Sequence, residues 1–185
     1  MMPMYKENEM YLIIRATGPG NPDRTVPAVY FHLPTEPFGF LSNWYGSDFT
    51  VDGTRFSSCE QYIMYRKCML FGDTATARRV MGTDSPEEQQ KLARNASGFC
   101  ETVWSGMRQM IAVRGLYAKF SQDPELKRQL LETGNAYLVE CAGKDRIWAC
   151  GRHLWDDERR DTALWTGGNL LGFTLMEVRD RLRDA

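Results

Sequence analysis

Histidine is scarce in this sequence of 185 residues, which contains only His32 and His153. There is no H-E-x-x-H pattern, no Cys/His spacing of the kind that binds zinc and no Asp-rich calcium loop. A catalytic triad built on histidine has few candidates for the same reason. Any chemistry is therefore left to carboxylates, lysine, tyrosine or a cofactor.

An excess of positive charge is also missing. The 23 Lys and Arg residues are balanced by 24 Asp and Glu residues, which gives a formal net charge of −1. A protein that follows a nucleic-acid backbone along a broad groove needs a clustered positive excess. The sequence therefore argues against that class of binding protein.

Long apolar runs and paired cysteines are absent as well. No segment approaches the roughly 18 consecutive apolar residues of a membrane span, and the charged residues among positions 1–14 are atypical of a secretory signal. The five cysteines are odd in number and form no C-x-x-C pair, which disfavours a disulfide scaffold. We expect a soluble cytoplasmic protein without a membrane partner, or a nuclear one in a eukaryote.

The pattern of apolar residues and turn signals predicts a single domain that is mainly α with small β elements (α+β). The Asp52-Gly53 pair predicts a hairpin, and Ser85-Pro86 predicts a capped helix start. The predicted strands cover 11–14, 29–33, 49–51, 54–56, 137–141 and 146–150, with a loop at 18–23. The predicted helices run from Ser57 or Ser58 to Phe71, over 86–95 and 101–120, from 124 to Gly134, and from Asn169, as the cap, to Leu182.

One helix carries the pair of side chains best suited to chemistry. Glu60 and Lys67 are seven residues apart, and at about 100° per residue they lie within about 20° of one another. The stripe between them is apolar, and desolvation there favours the neutral amine. A neutral lysine is a nucleophile toward carbonyl carbon, and a nearby glutamate can move protons.

A purely structural interpretation of the same two residues stays open. Glu60 stands at the third position after Ser57 and can complete a capping box with it. Lys67 can extend its charged end to water over an apolar stem.

Other candidates also have two interpretations. Trp104 is a core residue or a platform for a base or sugar. Asp145 is a turn residue or an acid that polarises a ribose hydroxyl. The glycine-rich segment 167–172 precedes a helix whose N-terminus can bind phosphate, although it matches neither the dinucleotide nor the Walker A pattern. Segment 40–44 is a loop or part of a nucleotide pocket.

Taken together, these segments resemble the NADAR (YbiA-like) family from about Phe31 to Arg183. Ser58, Glu60, Tyr62 and Lys67 are similar to the family's S-x-E-H-Y-x(4)-K. Further segments that match in order and spacing are 39–43, 51–53, 103–105, 119–120, 138–140, 145–148, 168–172 and 175–179. The resemblance divides the chain into an N-terminal extension, 1–28, and a NADAR-like catalytic domain, 29–185.

The resemblance implies a hydrolase without metal or cofactor that cleaves a base–ribose bond. Its substrate would be an ADP-ribose-containing nucleotide, such as ADP-ribosylated guanine in DNA or RNA. Lys67 would capture the sugar C1′ as an imine and Glu60 would move protons, with Asp145 as a third catalytic residue. The substrate-binding residues would be Phe40, Ser42, Asn43, Tyr62, Trp104 and Trp148, with Gly168 and Asn169 facing the phosphates.

The sequence departs from the family at two positions. Gln61 stands where the family has histidine, so a role of that histidine does not carry over. Ala149 replaces a glycine of the family's W-G-x-G stretch. The resemblance leaves two alternative functions open, namely hydrolysis of phosphoribosylamino-pyrimidines of riboflavin synthesis and binding of ADP-ribose or NAD without turnover.

Overall fold

A computed structural model of the chain describes residues 12–18 and 21–185, with side chains from Val26 onward. The strands are β1 (Leu12–Gly18), β2 (Asn21–Phe31), β3 (Gly46–Val51), β4 (Thr54–Ser58) and β5 (Tyr137–Glu140). The α-helices are α1 (Cys59–Leu70), α2 (Thr74–Met81), α3 (Pro86–Arg94), α4 (Glu101–Gln122), α5 (Pro124–Glu132) and α6 (Leu170–Arg183). The mainly α arrangement with small β elements is confirmed.

The described part of the chain falls into two compact units. Unit 1 contains the residues up to Ser42 and Leu131–Arg179, and unit 2 contains Asn43–Leu130 and Asp180–Ala185. The predicted boundary between residues 28 and 29 lies inside β2, and the division into extension and catalytic domain stays a prediction.

Unit 1 is built on a three-stranded sheet with the order β1-β2-β5. β1 is antiparallel to β2, and β2 is parallel to β5, with Ala28 opposite Tyr137 and Phe31 opposite Glu140. One buried cluster against this sheet joins residues of β2 and β5 to two thiols: Ala28, Tyr30, Val139, Cys141 and Cys150. The thiol of Cys141 donates to the carbonyl of Val139 at 3.8 Å, and that of Cys150 donates to the carbonyl of Arg152 at 3.9 Å.

Unit 2 begins with the β3–β4 hairpin and continues through α1 to α4. Asp52 and Gly53 have φ angles of 51° and 76°, the left-handed pair that a two-residue hairpin requires, so the predicted hairpin is confirmed. α1 packs closely on α4 at Gly115, where an added Cβ would stand 2.4 Å from Cδ1 of Tyr62. Glycine is therefore required at this crossing.

All five predicted helices are confirmed, and Ser85 caps α3 by accepting a hydrogen bond from the N–H of Glu88. α2 was not predicted. The predicted strand at 146–150 is wrong, because this segment forms a turn. Oδ1 of Asp145 accepts hydrogen bonds from the N–H groups of Ile147 and Trp148, each at 2.8 Å.

The predictions near the N-terminus are tested only in part. Leu12 to Ile14 are in β1 as expected, whereas Tyr11 and the segment 1–10 lie outside the described residues. Residues 21–23, predicted as loop, belong to β2. Of the helices in the described ranges, none has the length and apolar character needed to cross a membrane.

Candidate active site

Ser58, the second of the two helix starts that the sequence predicts, caps α1. Oγ of Ser58 accepts a hydrogen bond from the N–H of Gln61 at 3.1 Å. Oε1 of Gln61 in turn accepts a hydrogen bond from the N–H of Ser57 at 2.9 Å. The expected capping box of Ser57 with Glu60 is therefore replaced by Ser58 with Gln61. Glu60 is not needed to complete the cap.

Gln61 also joins α1 to the end of α2. Its Nε2 donates to the carbonyl of Thr83 at 3.0 Å and to that of Val80 at 3.4 Å. The residue is buried, so an unpaired amide there would be costly. The position at which the family has histidine carries a structural amide in this chain.

Glu60 and Asn43 are held next to each other by the backbone. The N–H of Glu60 donates to the carbonyl of Asn43 at 2.9 Å. Both residues are buried, each with 6% of its surface exposed. Among the described residues, Oδ1 of Asn43 has no hydrogen-bond partner. A buried acceptor without a partner is unusual and is suited to a hydroxyl or amino group of a ligand.

Lys67 lies in an aromatic surrounding at the other end of α1. Its Nζ is 4.6 Å from the centroid of the Phe99 ring and 5.7 Å from that of the Trp104 ring. Trp104 is buried, whereas Phe99 is 39% exposed and lies in the loop before α4. Sequence reasoning missed Phe99, because a loop residue has no helical periodicity to connect it with Lys67.

Burial lowers the pKa of the Lys67 amine below its ordinary value, and Arg94 acts in the same direction. Cys68, Glu101 and Glu60 oppose this shift. The carboxylate of Glu60 thus acts electrostatically on the amine, as the seven-residue spacing on one helix leads us to expect. The balance favours an amine that can lose its proton and act as a nucleophile.

Tyr62 is a core residue of unit 2. Its ring contacts Phe56 edge-on, with 5.1 Å between the centroids, and Phe49 at 6.2 Å. Burial raises the pKa of its hydroxyl. The side chain is fully buried, and its substrate-binding role stays a prediction.

The candidates of unit 1 form a second group around the turn at 146–149. The N–H groups of Gly168 and Asn169 donate to the carbonyls of Arg146 and Ala149, each at 3.0 Å. The next two amides, at the start of α6, bind the carbonyls of residues 147 and 148. These backbone donors are used within unit 1, and a phosphate-binding role of Gly168 and Asn169 stays a prediction.

The Asn169 side chain has a structural function of its own. Its Oδ1 accepts the N–H of Glu140 and its Nδ2 donates to the carbonyl of Leu138, each at 3.0 Å. The residue is fully buried. Its amide therefore fixes the start of α6 to the edge of β5.

The remaining candidates of unit 1 are Phe40, Ser42, Asp145 and Trp148. Phe40 and Ser42 are buried, and Asp145 and Trp148 are half-buried. Asp145 acts as a turn residue, one of the two interpretations of the sequence, because its Oδ1 accepts hydrogen bonds from two backbone amides. Binding or catalytic roles of these four residues stay predictions.

Two further features of the described residues bear on ligands. A cavity of about 290 Å³ in unit 2 lies between α1 and α4. Its lining residues are Tyr65, Arg66, Met69, Leu70, Met107 and Ile111. None of the predicted site residues lines this cavity. In the described part of the chain, no three His, Cys, Asp or Glu side chains gather as metal ligands.

Comparison with known proteins identifies relatives over most of the chain. The profile of the NADAR domain matches residues 30–183. N-glycosidase R617 of Acanthamoeba polyphaga mimivirus is 35% identical over 145 residues, covering 76% of this chain and 85% of that protein. Riboflavin biosynthesis protein VVA0006 of Vibrio vulnificus is 31% identical, covering 84% of this chain and 39% of that protein.

A solved structure extends the likeness to the fold. The NMR structure of the Escherichia coli protein YbiA matches with a TM-score of 0.70 and 27% sequence identity, covering 85% of both chains. The same protein, named N-glycosidase YbiA, is 29% identical over 154 residues, covering 83% of this chain and 88% of that protein.

Proposed function

The chain belongs to the NADAR domain family and is an N-glycosidase, and on that premise we propose that it removes ADP-ribose from ADP-ribosylated guanine in nucleic acid. The observation that carries the proposal is the half-buried amine of Lys67, with its lowered pKa, on the same helix as Glu60. A net charge near zero suits an enzyme that grips one modified nucleotide rather than a long duplex.

The reaction begins with the neutral amine of Lys67. It attacks the ring-opened form of the substrate, in which the C1′–O4′ bond has broken, Glu60 has protonated O4′ and C1′ is doubly bonded to the base nitrogen. The lone pair of Nζ forms the bond to C1′, the π electron pair moves onto the base nitrogen, and the Glu60 carboxylate takes a proton from Nζ. The bond between C1′ and the base nitrogen then breaks with its electron pair going to the base, which leaves an iminium between C1′ and Nζ. Glu60 supplies the proton that the departing base takes up. Water then adds to C1′ of the Lys67 iminium, and Glu60 carries a proton from the added water to Nζ. The C1′–Nζ bond breaks with its electron pair going to Nζ, which returns the neutral amine, and the remaining hydroxyl proton passes to Glu60 as the sugar leaves as an aldehyde that closes its ring.

Asn43 has the second role in the proposal. Its unpartnered Oδ1 accepts a hydrogen bond from the base or a sugar hydroxyl, next to the first turn of α1 that carries Glu60. Trp104, whose ring approaches Nζ of Lys67, forms an apolar wall beside the reacting carbon.

A second candidate substrate is a phosphoribosylamino-pyrimidine of riboflavin synthesis. The observation in its favour is the 31% identity to the riboflavin biosynthesis protein of Vibrio vulnificus. The same amine and carboxylate would cleave its base–ribose bond by the same steps, so the two substrates differ in recognition rather than in chemistry.

The test incubates the purified protein with both substrates side by side and measures the released base. We expect the base to be released from ADP-ribosylated guanine. Lys67→Ala should lower the rate of release by roughly 10³-fold or more. Lys91→Ala is the matched control, because this lysine is exposed on α3 and pairs only loosely with Glu88, at 4.0 Å. Activity confined to the pyrimidine would replace our proposed substrate with the second one.

Borohydride reduction tests the covalent step. Reduction during turnover should leave a sugar-sized adduct on Lys67, detected by mass spectrometry of the peptide. Turnover without any adduct would eliminate the imine and leave general acid–base hydrolysis. A protein without turnover that keeps its affinity for ADP-ribose after Lys67→Ala would be a binding module.

A further inference from the structure

The two aromatic rings next to Lys67 approach it with their faces. Nζ lies over the Phe99 ring at 4.6 Å and over the Trp104 ring at 5.7 Å from the centroids. Both distances are within the range of about 6 Å over which a cation is attracted to the negative face of an aromatic ring. The amine is therefore placed where positive charge is favoured by the rings and opposed by burial.

We infer that Phe99, together with Trp104, forms a clamp that stabilises positive charge on Nζ of Lys67 during the reaction. The inference deepens the proposed function and rests on it, since the charge in question is that of the iminium between Nζ and the sugar carbon. Phe99 is assigned no role by the family resemblance.

The charge on Nζ changes during the proposed reaction. The ammonium loses a proton to become the nucleophile, and the nitrogen becomes positive again when the base departs and C1′ and Nζ share the iminium charge. Burial makes this second charge costly. The ring faces offset that cost without supplying a competing base or nucleophile.

The position of Phe99 is fixed by its own loop. The N–H of Ser97 donates to Oδ2 of Asp73 at 2.8 Å. Gly98 has a φ of 72°, and an added Cβ there would be 3.1 Å from the carbonyl oxygen of Phe71. The Phe71 ring then meets the Phe99 ring edge-on, with 5.3 Å between centroids.

Packing alone does not account for Phe99. The residue is 39% exposed, and a side chain so exposed gains only part of the free energy of burial. The ring meets Phe71 edge-on and turns its face to the amine. An exposed phenylalanine that is held by a left-handed glycine with its face against a lysine is best explained by the charge of that lysine.

Several charged groups surround the amine and contribute to its titration. They are Glu60 and Cys68 on α1, Arg94 on α3 and Glu101 at the start of α4. None of them is changed by a substitution within the Phe99 ring. The effect of the ring can therefore be measured against a constant electrostatic background.

The test replaces Phe99 with phenylalanines carrying one, two or three ring fluorines, which weaken the negative face with little change in volume. NMR of ¹³C-labelled lysine, with the Lys67 signal assigned by Lys67→Arg, follows the titration of the free protein. We expect the pKa of Lys67 to fall with each fluorine. At a pH above that pKa, we expect turnover to fall in step, by about 2- to 30-fold for three fluorines.

The matched control is Phe173, which is 42% exposed on α6; the same fluorines there should change neither quantity. Phe99→Trp should keep the effect and Phe99→Leu should lose it at a similar melting temperature. An unchanged Lys67 titration and rate across the series would overturn the clamp. If the titration shifts while Lys67→Ala remains active, the proposed function fails and the charge-stabilising contact stands.

Discussion

The backbone N–H of Glu60 donates to the backbone carbonyl of Asn43 at 2.9 Å. This bond fixes the first turn of α1 to the start of unit 2, so the side chains of Glu60 and Asn43 start from neighbouring points of the backbone. The contact involves only backbone atoms. Substitution of either side chain therefore changes the chemistry of the site without removing the bond that positions it.

Glu60→Gln should slow hydrolysis by roughly 10²–10⁴-fold, because the amide cannot transfer the proton that the departing base needs. The melting temperature should stay close to that of the wild type, since Ser58 and Gln61 form the helix cap. Single-turnover kinetics and thermal melts on the same preparations measure both. Glu87→Gln, an exposed acid in the first turn of α3, is the control, and a rate loss that merely follows a lower melting temperature would contradict the proposal.

Gln61→Ala should lower the free energy of unfolding by about 1–3 kcal/mol, because the backbone groups of Ser57 and Thr83 lose a buried partner. Urea titration measures the change, and activity at low temperature should persist. Gln129→Ala removes a half-buried amide that makes a solvent-exposed hydrogen bond to Glu125 and should stay within about 0.5 kcal/mol of the wild type. Equal stability of the two variants would show that Gln61 does not hold α1 to α2.

Gly115→Ala should destabilise the protein by about 1–3 kcal/mol, since the new methyl group would overlap the Tyr62 ring. Gly106 provides a control within the same helix, because an added Cβ there meets nothing within 4 Å. Gly106→Ala should raise stability by about 0.5–1 kcal/mol. Urea titrations of the two variants measure these opposite changes in the free energy of unfolding. A stabilising Gly115→Ala would mean that α1 and α4 are not in close contact at this position.

Lys119 should make stability depend on pH in the alkaline range. Burial lowers the pKa of its amine to about 8, while Cys59 and Asp123 act in the opposite direction. Between pH 8 and about 10.4 the unfolded chain holds the proton that the folded chain has lost, so stability rises with pH. Relative to Lys119→Met, the wild type should gain about 3 kcal/mol across this window.

Urea titrations of the wild type and of Lys119→Met at pH 7.5 and pH 10.5 measure this gain. The comparison with the variant removes the contributions of tyrosines and other cysteines, which titrate in the same range. A constant difference between the two proteins would show that the buried amine keeps an ordinary pKa.

Local sequence signals predicted what local interactions determine. The Asp52-Gly53 turn requires two left-handed residues in succession, and Asp-Gly is a favoured pair for that backbone. The Ser85 cap, with Pro86 behind it, is decided within one turn of helix. The face shared by Glu60 and Lys67 follows from helix geometry alone. Such features need no knowledge of the rest of the chain.

Tertiary interactions decided the features that the sequence did not reveal. Residues 146–150 are rich in strand-forming side chains, but the carboxylate of Asp145 binds two backbone amides and makes a turn. From the sequence, the amides that follow Gly167 are predicted to bind an anion. In the structure they donate to the carbonyls of residues 146–149, which are distant in the local sequence pattern. Phe99 reaches Lys67 through loop geometry, which no periodicity encodes.

The parallel pairing of β2 with β5 has a consequence for synthesis. A nascent chain releases β2 from the ribosome long before Tyr137–Glu140 has been made, because residues 32–136 come between the two strands. During that interval β2 pairs with β1 on one side only, and its other edge presents unbonded N–H and carbonyl groups. A fragment that stops short of β5 would keep this edge of β2 unpaired, and an unpaired edge is a template for pairing with another chain.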